Sequence, residues 1–457
     1  MTLHTMEKPI LLGRLGKSSN FCTLSGYLGD IESITSFEYQ VLREMNGLNT
    51  FAGLSQHLSI PVENIQHIYQ KFAGNKKLTT LSQWNQIGWC PQCYSYVAGA
   101  TCDICHDDVE KMDLNPPCDP WICFEVERKF IIDMLFKAAQ IVLHEDTFFL
   151  ANNCIANNKF YWEIIYRGKK IAHIHFPSYD SASWKCELLV GEREIMQGRP
   201  HIWGEDTIPR MIQANESRQA FLFHNSAAFI ESAINYYEST PLLYFSGGKE
   251  SMVIYSLLER LQLQANVLTV ATGVDFPEDL AFMREFGRII QDNPLFTFYF
   301  FEENGEDVIR YLNEKKNLSA KEPWCRISFK KALKNKATDE IYHGEDFIAF
   351  EGTRWYETDF RRGNPKMMLL REYPHQIWAC PIIEWTAFDV WIYTYANNLQ
   401  VNPMYNKGFQ KTTCWLCPVV STYSYVLSQT NYPDLWAKIQ GCELTPFGDS
   451  DSRDVIF

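Results

Sequence analysis

The chain has 457 residues, too many for one ordinary core, and its 46% hydrophobic and 21% charged content describes a globular protein of roughly two to four domains rather than a disordered one. A formal net charge of −13 excludes a surface that grips nucleic acid indiscriminately, although it leaves room for a local basic site. The opening MTLHTMEKPILLG lacks a charged, then apolar leader and no later run has the length of a membrane span, so a cytoplasmic protein without a membrane partner is expected, its 14 cysteines read as thiols or metal ligands rather than disulfides.

Residues 37–80 carry three short amphipathic patterns joined by polar turns, the third opening on Ser-x-Pro-x-Glu, a good helix start. This stretch, within an expected unit 1–83, resembles a small winged-helix module. It is not conspicuously basic, so docking or packing is expected of it rather than nucleic-acid binding. Next, WCPQCYSYVAGATCDICH sets Cys90, Cys93, Cys102 and Cys105 as two C-x-x-C pairs eight residues apart. Four thiolates close a tetrahedral shell with no open position, the pattern of structural zinc, and a zinc ribbon is expected over 84–112 with His106 as a bystander. A helix in RKFIIDMLFKAAQIVLHE then leads into β-rich sequence with a hairpin turn at Gly168, together a small α+β unit over 113–205. His173 and His175 alternate on one strand there; two histidines are too few for a metal and are read as surface or core residues. The stretch 201–216 is read as the main linker, within a linker and helix spanning 206–239.

From Leu242 the pattern changes. LLYF is a buried strand, SGGKES a glycine turn, and MVIYSLLERLQ a helix. Such a unit aims backbone N–H groups at an anion, with Gly247 and Gly248 leaving room for a phosphate and Ser246 and Ser251 adding hydroxyls. The spacing is neither that of the P-loop nor that of the dinucleotide fingerprint. NVLTVATGVDFPEDLAFMREFGRII repeats strand, turn and helix, and FTFYFFEE and DFIAFEGTRW add further strands. The alternation predicts an α/β domain with a doubly wound parallel sheet over 240–430, ligands sitting at the strands' carboxyl ends, and a tail over 431–457.

SGGKES, TGVDFPE, WCRISFKKAL, EGTRWYETDFRR, PIIEWTAFDVWIY with NPMYNKGF, and CWLCPVV occur here in the order seen in phosphoadenosine phosphosulfate reductases. The stretch 240–425 therefore resembles that family of the PP-loop ATP pyrophosphatases, with their adenine nucleotide alpha-hydrolase-like fold, and is similar to the PP-loop enzyme of DNA phosphorothioation. Zinc ribbon, β-domain and PP-loop domain in this order are similar to archaeal-type members, in which the β-domain looks like a PUA-type RNA-binding fold. The resemblance implies nucleotide binding by Ser246, Gly247, Gly248, Lys249, Ser251, Thr272, Gly273, Arg354, Arg361 and Arg362, and catalytic roles for Lys249, Asp275 and Arg354. Two departures stand out: Lys249-Glu250 replaces the usual small residue and Asp, and Ala271 replaces the Asp before Thr-Gly.

Cys414 and Cys417 form a third C-x-x-C, with Cys325 at a distance. Three thiolates suit a 4Fe–4S cluster with one open iron. The resemblance supports this; Cys380 is the candidate fourth ligand or a buried core thiol, and a second zinc is the competing reading. Cys442 stands where sulfonucleotide reductases keep their catalytic cysteine, but its local match is poor. The expected activity is ATP-dependent sulfur transfer: Mg²⁺ with the triphosphate, adenylation of an acceptor, then insertion of sulfur from a donor such as a cysteine desulfurase. The acceptor is left open, RNA or DNA among the candidates, and a homodimer is compatible with the sequence. The alternatives are a sulfonucleotide reductase releasing sulfite, and a nucleotide- or nucleic-acid-binding protein without turnover.

Overall fold

The computed structural model of the chain describes residues 7–12, 14–17, 22–25, 31–46, 49–73, 78–156, 159–235, 238–315, 317–319, 329–358, 361–369, 373, 375–412, 414–417, 420–439 and 443–445. Helices α1 (Ser36–Glu44), α2 (Phe51–Leu58) and α3 (Val62–Ala73) lie where the periodicity placed them, and Thr35 and Glu38 cap α1 reciprocally. They close over Leu24, Val41, Leu42, Phe51, Leu54, Ile65 and Phe72. Part of that core comes from a three-stranded antiparallel sheet (Arg14–Lys17, Cys22–Ser25, Ile31–Ile34). Its strands, four residues each, are too short to announce themselves by alternation.

The first cysteine pair ends a hairpin, Ile87–Cys90 with Ser95–Ala98, flanked by Glu110–Lys111. Beyond it stands a five-stranded antiparallel sheet of order β5-β4-β3-β2-β1, formed by β1 (Trp121–Ile122), β2 (Leu150–Ala156), β3 (Lys159–Tyr166), β4 (Lys169–His175) and β5 (Lys185–Leu188). The β3–β4 turn is Arg167-Gly168, with φ of 48° and 75°, the two positive values that a tight two-residue hairpin loop demands. A Cβ on Gly168 would fall 2.4 Å from Trp89 Cβ, so the turn is seated directly on the cysteine hairpin.

One face of this sheet is covered by helix α4 (Glu125–Ala139), with Ile131 and Leu135 packed among Trp162, Ile164 and Ile174. The same core continues into Phe388, Trp391 and Ile392 of the C-terminal half and into Tyr423, whose ring lies 4.4 Å from that of Trp162. The small β-unit and the large α/β domain therefore share one hydrophobic core. The stretch 201–216, expected to be the main linker, instead enters helix α5 (Thr207–Gln213). Asn215, 1% exposed, donates to Tyr96 O and accepts from Ala98 N, which fixes this segment to the cysteine hairpin. Helix α6 (Glu216–Ile234) follows, and its Arg218 grips the buried Asp389 at 3.1 and 3.2 Å.

The large sheet has order β8-β7-β6-β9-β11-β10, built from β6 (Leu242–Tyr244), β7 (Ala265–Ala271), β8 (Phe296–Glu302), β9 (Phe347–Phe350), β10 (Met367–Leu369) and β11 (Gln376–Ala379). All are parallel except β10 on the edge. Helices α7 (Lys249–Arg260), α8 (Pro277–Asp292), α9 (Gly305–Lys315), α10 (Lys331–Tyr342) and α11 (Ala387–Ala396) connect or cover the strands. The chain winds outward from β6 through β7 to β8, then crosses to β9 and winds the other way. Ligands of such sheets bind where the winding reverses, beyond the carboxyl ends of β6 and β9. Residues 431–457 are more than a tail: Pro433–Trp436 is helical, and Glu443–Thr445 pairs in parallel with Asn317–Ser319. No helix among the described residues is long and apolar enough to cross a membrane.

Candidate functional site

The Ser-Gly-Gly turn leaves β6 at the winding reversal. Gly247 has φ +69°, and a Cβ there would press on Met283 Cγ at 3.0 Å and Asn402 Nδ2 at 3.2 Å. Gly248 caps α7, and a Cβ there would meet Thr412 Oγ1 at 2.9 Å. The glycines thus answer both a left-handed conformation and a lack of space. The Ser246 hydroxyl is exposed and stands 3.5 Å from that of the buried Ser251, which donates to Gly248 O at 2.9 Å. The α7 first turn supplies the anion-attracting N–H groups, one of which, on Lys249, donates to Tyr405 OH at 2.9 Å. Asn402 Nδ2 donates to Gly247 O (3.2 Å) and Asp279 Oδ1 (2.6 Å), so loop and α8 are held by one side chain.

After β7, Gly273 also has positive φ (+77°), and its backbone approaches Gly305 so closely that a Cβ would lie 2.7 Å from Gly305 N. Asp275 accepts from Thr272 N (2.6 Å) and Thr272 Oγ1 (3.1 Å). Cys414 joins them: its sulfur lies 2.9 Å from Thr272 Oγ1 and donates toward Asp275 Oδ1 at 3.6 Å, and Trp415 N bonds Val274 O. A cysteine 139 residues away is thus set beside the second loop of the sheet edge. Burial raises both the Asp275 carboxyl and the Cys414 thiol above their ordinary values. Lys330, just before α10, faces Cys414, Glu351 and Asp275 electrostatically, and these charges raise its pKa against partial desolvation. Asp279, next along α8, is pushed up to about 7 by burial, with the Asp275 charge adding to the effect.

The cations expected at the phosphates are arranged differently. Arg354, 2% exposed, donates from both Nη atoms to Asp119 of the small β-unit (2.8 and 3.0 Å), and from Nε to Glu250 (3.1 Å) and Nη1 to Trp385 O (3.2 Å). It bolts two parts of the fold together and steadies Glu250 behind the loop. Lys249 Nζ is turned to Glu250 at 2.9 Å. Burial alone would raise the Glu250 carboxyl, but Lys249 and Arg354 outweigh it and hold it below the usual range. Hence the Lys-Glu pair that departs from the usual loop sequence is an internal ion pair. Arg361 is paired with Glu357, and Arg362 is buried with its guanidinium over the Trp84 ring. The structure does not converge the three arginines on the loop.

Cys90, Cys93, Cys102 and Cys105 do converge, their sulfurs all within 4.8 Å of one another. Cys93 N donates to Cys90 Sγ at 3.3 Å, and each pair is followed by a left-handed residue, Tyr94 (φ 56°) and His106 (φ 63°), so two matching knuckles face each other. His106 shapes a knuckle rather than joining the thiols. Burial raises the Cys90 and Cys93 thiols, while the Asp107 backbone lowers Cys105. Cys414 and Cys417 leave one turn whose Trp415 and Leu416 are buried in an apolar cluster. Cys380 does not group with them among the described residues; it is fully buried beside Trp378 and Ile383, with Trp355 and Met368 around it, and reads as a core thiol. Cys325 and Cys442 lie outside the described residues. Sequence reasoning missed Asp119, Asp279, Lys330, Asn402 and Tyr405 as site residues. The last three stood inside WCRISFKKAL and NPMYNKGF, motifs already singled out; Asp119 carried no local signal.

A parallel sheet with a glycine anion loop at its winding reversal, and a thiol set beside the carboxylate of the next loop, defines a doubly wound α/β domain with a candidate anion site. Residues 240–420 match the phosphoadenosine phosphosulfate reductase domain. An uncharacterized Methanocaldococcus jannaschii protein is 24% identical over 445 residues, 77% of this chain and 90% of its own, which reaches well beyond the 240–420 domain. A second one from that organism is 28% identical over 201 residues, 42% of this chain and 45% of its own, so the chain spans less than half its length. The adenosine 5′-phosphosulfate reductase of Bacillus mycoides is 25% identical over 194 residues, 40% of this chain and 76% of its own. Among solved structures, the phosphoadenylyl-sulfate reductase of Candida auris superposes with TM-score 0.33 and 15% identity over 47% of this chain and 96% of its own, a likeness too slight to bear on chemistry.

Proposed function

We propose that the chain is an ATP-dependent sulfur transferase, a cytoplasmic enzyme that adenylates an acceptor and inserts sulfur into it. The observation that carries this is the Cys414 sulfur 2.9 Å from Thr272 Oγ1, on the same sheet edge as the Ser246–Ser251 loop. A thiol so placed serves sulfur delivery at a nucleotide site. The α7 N–H groups and the Ser246 and Ser251 hydroxyls hold the phosphates while an acceptor oxygen attacks the α-phosphorus and pyrophosphate leaves. A donor such as a cysteine desulfurase brings sulfur as a persulfide; a thiol reductant forms a disulfide with the carrier sulfur and frees hydrosulfide, which then displaces AMP. Asp275 takes the Cys414 proton and Lys330 favours the resulting thiolate, which lowers the cost of a charge that burial opposes.

The buried Asp279 and the half-buried Asp275 both have raised pKa values, a pair that a divalent cation would relieve, and Mg²⁺ accompanying the triphosphate fits this need. The paired knuckles at Cys90, Cys93, Cys102 and Cys105 fit structural zinc. Cys414 and Cys417, with Cys325, offer the soft thiolates of a 4Fe–4S cluster, which when bound would supply an open iron for sulfide. The acceptor class, RNA or DNA among them, is part of this proposal, as is the donor.

The second reading, a sulfonucleotide reductase, is favoured by the family match over 240–420. Product analysis separates the two. Incubation with ATP, a sulfide source and candidate acceptors should release AMP and pyrophosphate, and Cys414→Ala should abolish the release of AMP that accompanies sulfur insertion. Sulfite from adenosine 5′-phosphosulfate with a thiol reductant, and no turnover of ATP, would replace the first reading by the second.

A further inference from the structure

Away from the nucleotide site, the outer face of the five-stranded sheet holds an unexplained cluster. His173 and His175 alternate on β4 and so share a face, and Glu187 on the edge strand β5 is the register partner of His173. One nitrogen from each ring and a Glu187 carboxylate oxygen all lie within 4.8 Å of one another, with His175 Nε2 3.3 Å from Glu187 Oε2. His173 Nε2 is buried without a hydrogen-bond partner, 3.6 Å from Glu163 Oε1. The Tyr161 ring stacks on His175 (5.5 Å, 25°) and meets His173 edge-on (4.9 Å), which restricts both imidazoles.

We propose that His173, His175 and Glu187 bind a divalent transition-metal ion of the zinc type. Two imidazoles and one carboxylate are a known donor set for zinc, and a contraction of the ligand atoms to roughly 3.3 Å apart would bring each to the usual ~2.0–2.1 Å from the ion. Glu163 stands behind His173 as the carboxylate that receives its other ring N–H and orients it. Lys170 Nζ, 3.2 Å from Glu163 Oε1, already offsets the Glu163 charge, so Glu187 is the carboxylate left to the ion. The side chains of His175 and Glu187 are 41% and 65% exposed, so the fourth position opens to water. Such an ion would pin β5, which otherwise ends the sheet, to β4.

The site differs from the cysteine knuckles in offering nitrogen and oxygen only, and the test uses that difference. The full chain, purified with its thiolate sites filled, is titrated with Co²⁺ and the visible spectrum and bound metal are recorded. One further equivalent should enter without sulfur-to-cobalt charge-transfer absorption. His175→Ala and Glu187→Gln should each abolish it, and Glu163→Gln should weaken it by about 10–100-fold. Glu187 is a surface side chain, so circular dichroism and metal-free melting of Glu187→Gln should match the wild type. Absence of the extra equivalent in the wild type, or its persistence in Glu187→Gln, overturns the proposal.

Discussion

Replacing Asp119 by alanine removes three hydrogen bonds at once: two from Arg354 (2.8 and 3.0 Å) and one from Ala387 N (2.5 Å). Stripping a buried cation of its partner costs about 3–5 kcal/mol. Arg354 keeps Glu250 at 3.1 Å, Glu357 at 3.7 Å and Trp385 O at 3.2 Å, which places the loss at the lower end, ~3 kcal/mol. The orphaned Ala387 N–H adds about 1 kcal/mol. Asp119→Asn, which keeps the shape and an acceptor but loses the charge, should cost about half as much. Urea unfolding followed by tryptophan fluorescence measures both, since Trp385 and Trp391 lie in the affected region. In the double variant Asp119→Ala with Arg354→Met, the losses should fall short of additive by about 2 kcal/mol, as for groups in direct contact. An Asp119→Ala protein within about 1 kcal/mol of wild type, or an additive double variant, would refute the idea that this pair bolts the two units together.

Gly247→Val should lose nucleotide binding, because φ is +69° and Met283 and Asn402 already crowd the Cβ position; equilibrium dialysis with ATP reads the loss, which Ser246→Ala should only weaken, by about 1–2 kcal/mol. Asp279, with its pKa raised to about 7, keeps its proton in the folded state after the unfolded chain has released it, so stability falls as pH rises from about 4 to 7. Asp279→Asn should flatten melting temperature against pH across that window, and parallel profiles would remove Asp279 from the account. Cys90→Ser should release one zinc ion and lower the melting temperature while leaving iron unchanged, by elemental analysis and calorimetry; full retention of zinc would undo the knuckle assignment.

What the sequence disclosed was what lies close along the chain. The two-residue glycine turn at Gly247-Gly248 and the spacing of each C-x-x-C are local demands of backbone and ligand geometry, so they were legible. Helices α1 to α3 were legible because each has a periodic apolar face. Arg354 was legible only as a cation; that its partner is Asp119, 235 residues earlier, depends on a tertiary contact without local signature. His173 and His175 read as too few for a metal because Glu187 reaches them through strand register, a relation that alternation within one strand cannot reveal. Cys380 was left open between a ligand and a buried core thiol, because both have the same letter; its burial beside Trp378 and Ile383 favours the second.

The core that joins Trp162 and Phe176 to Tyr423 sets a timetable for the newborn chain. Synthesis at ~5–20 residues per second leaves roughly 12–50 s between the emergence of Phe176 and that of Tyr423. For most of that interval the sheet β1–β5 has its α4 cover but lacks Phe388, Trp391 and Ile392, and Tyr423 comes last. An aromatic surface is exposed while the ribosome is still at work, and a holding chaperone has something to grip until α11 arrives. Faster elongation or a cooler cell alters how long that surface is bare without touching a single contact of the finished protein.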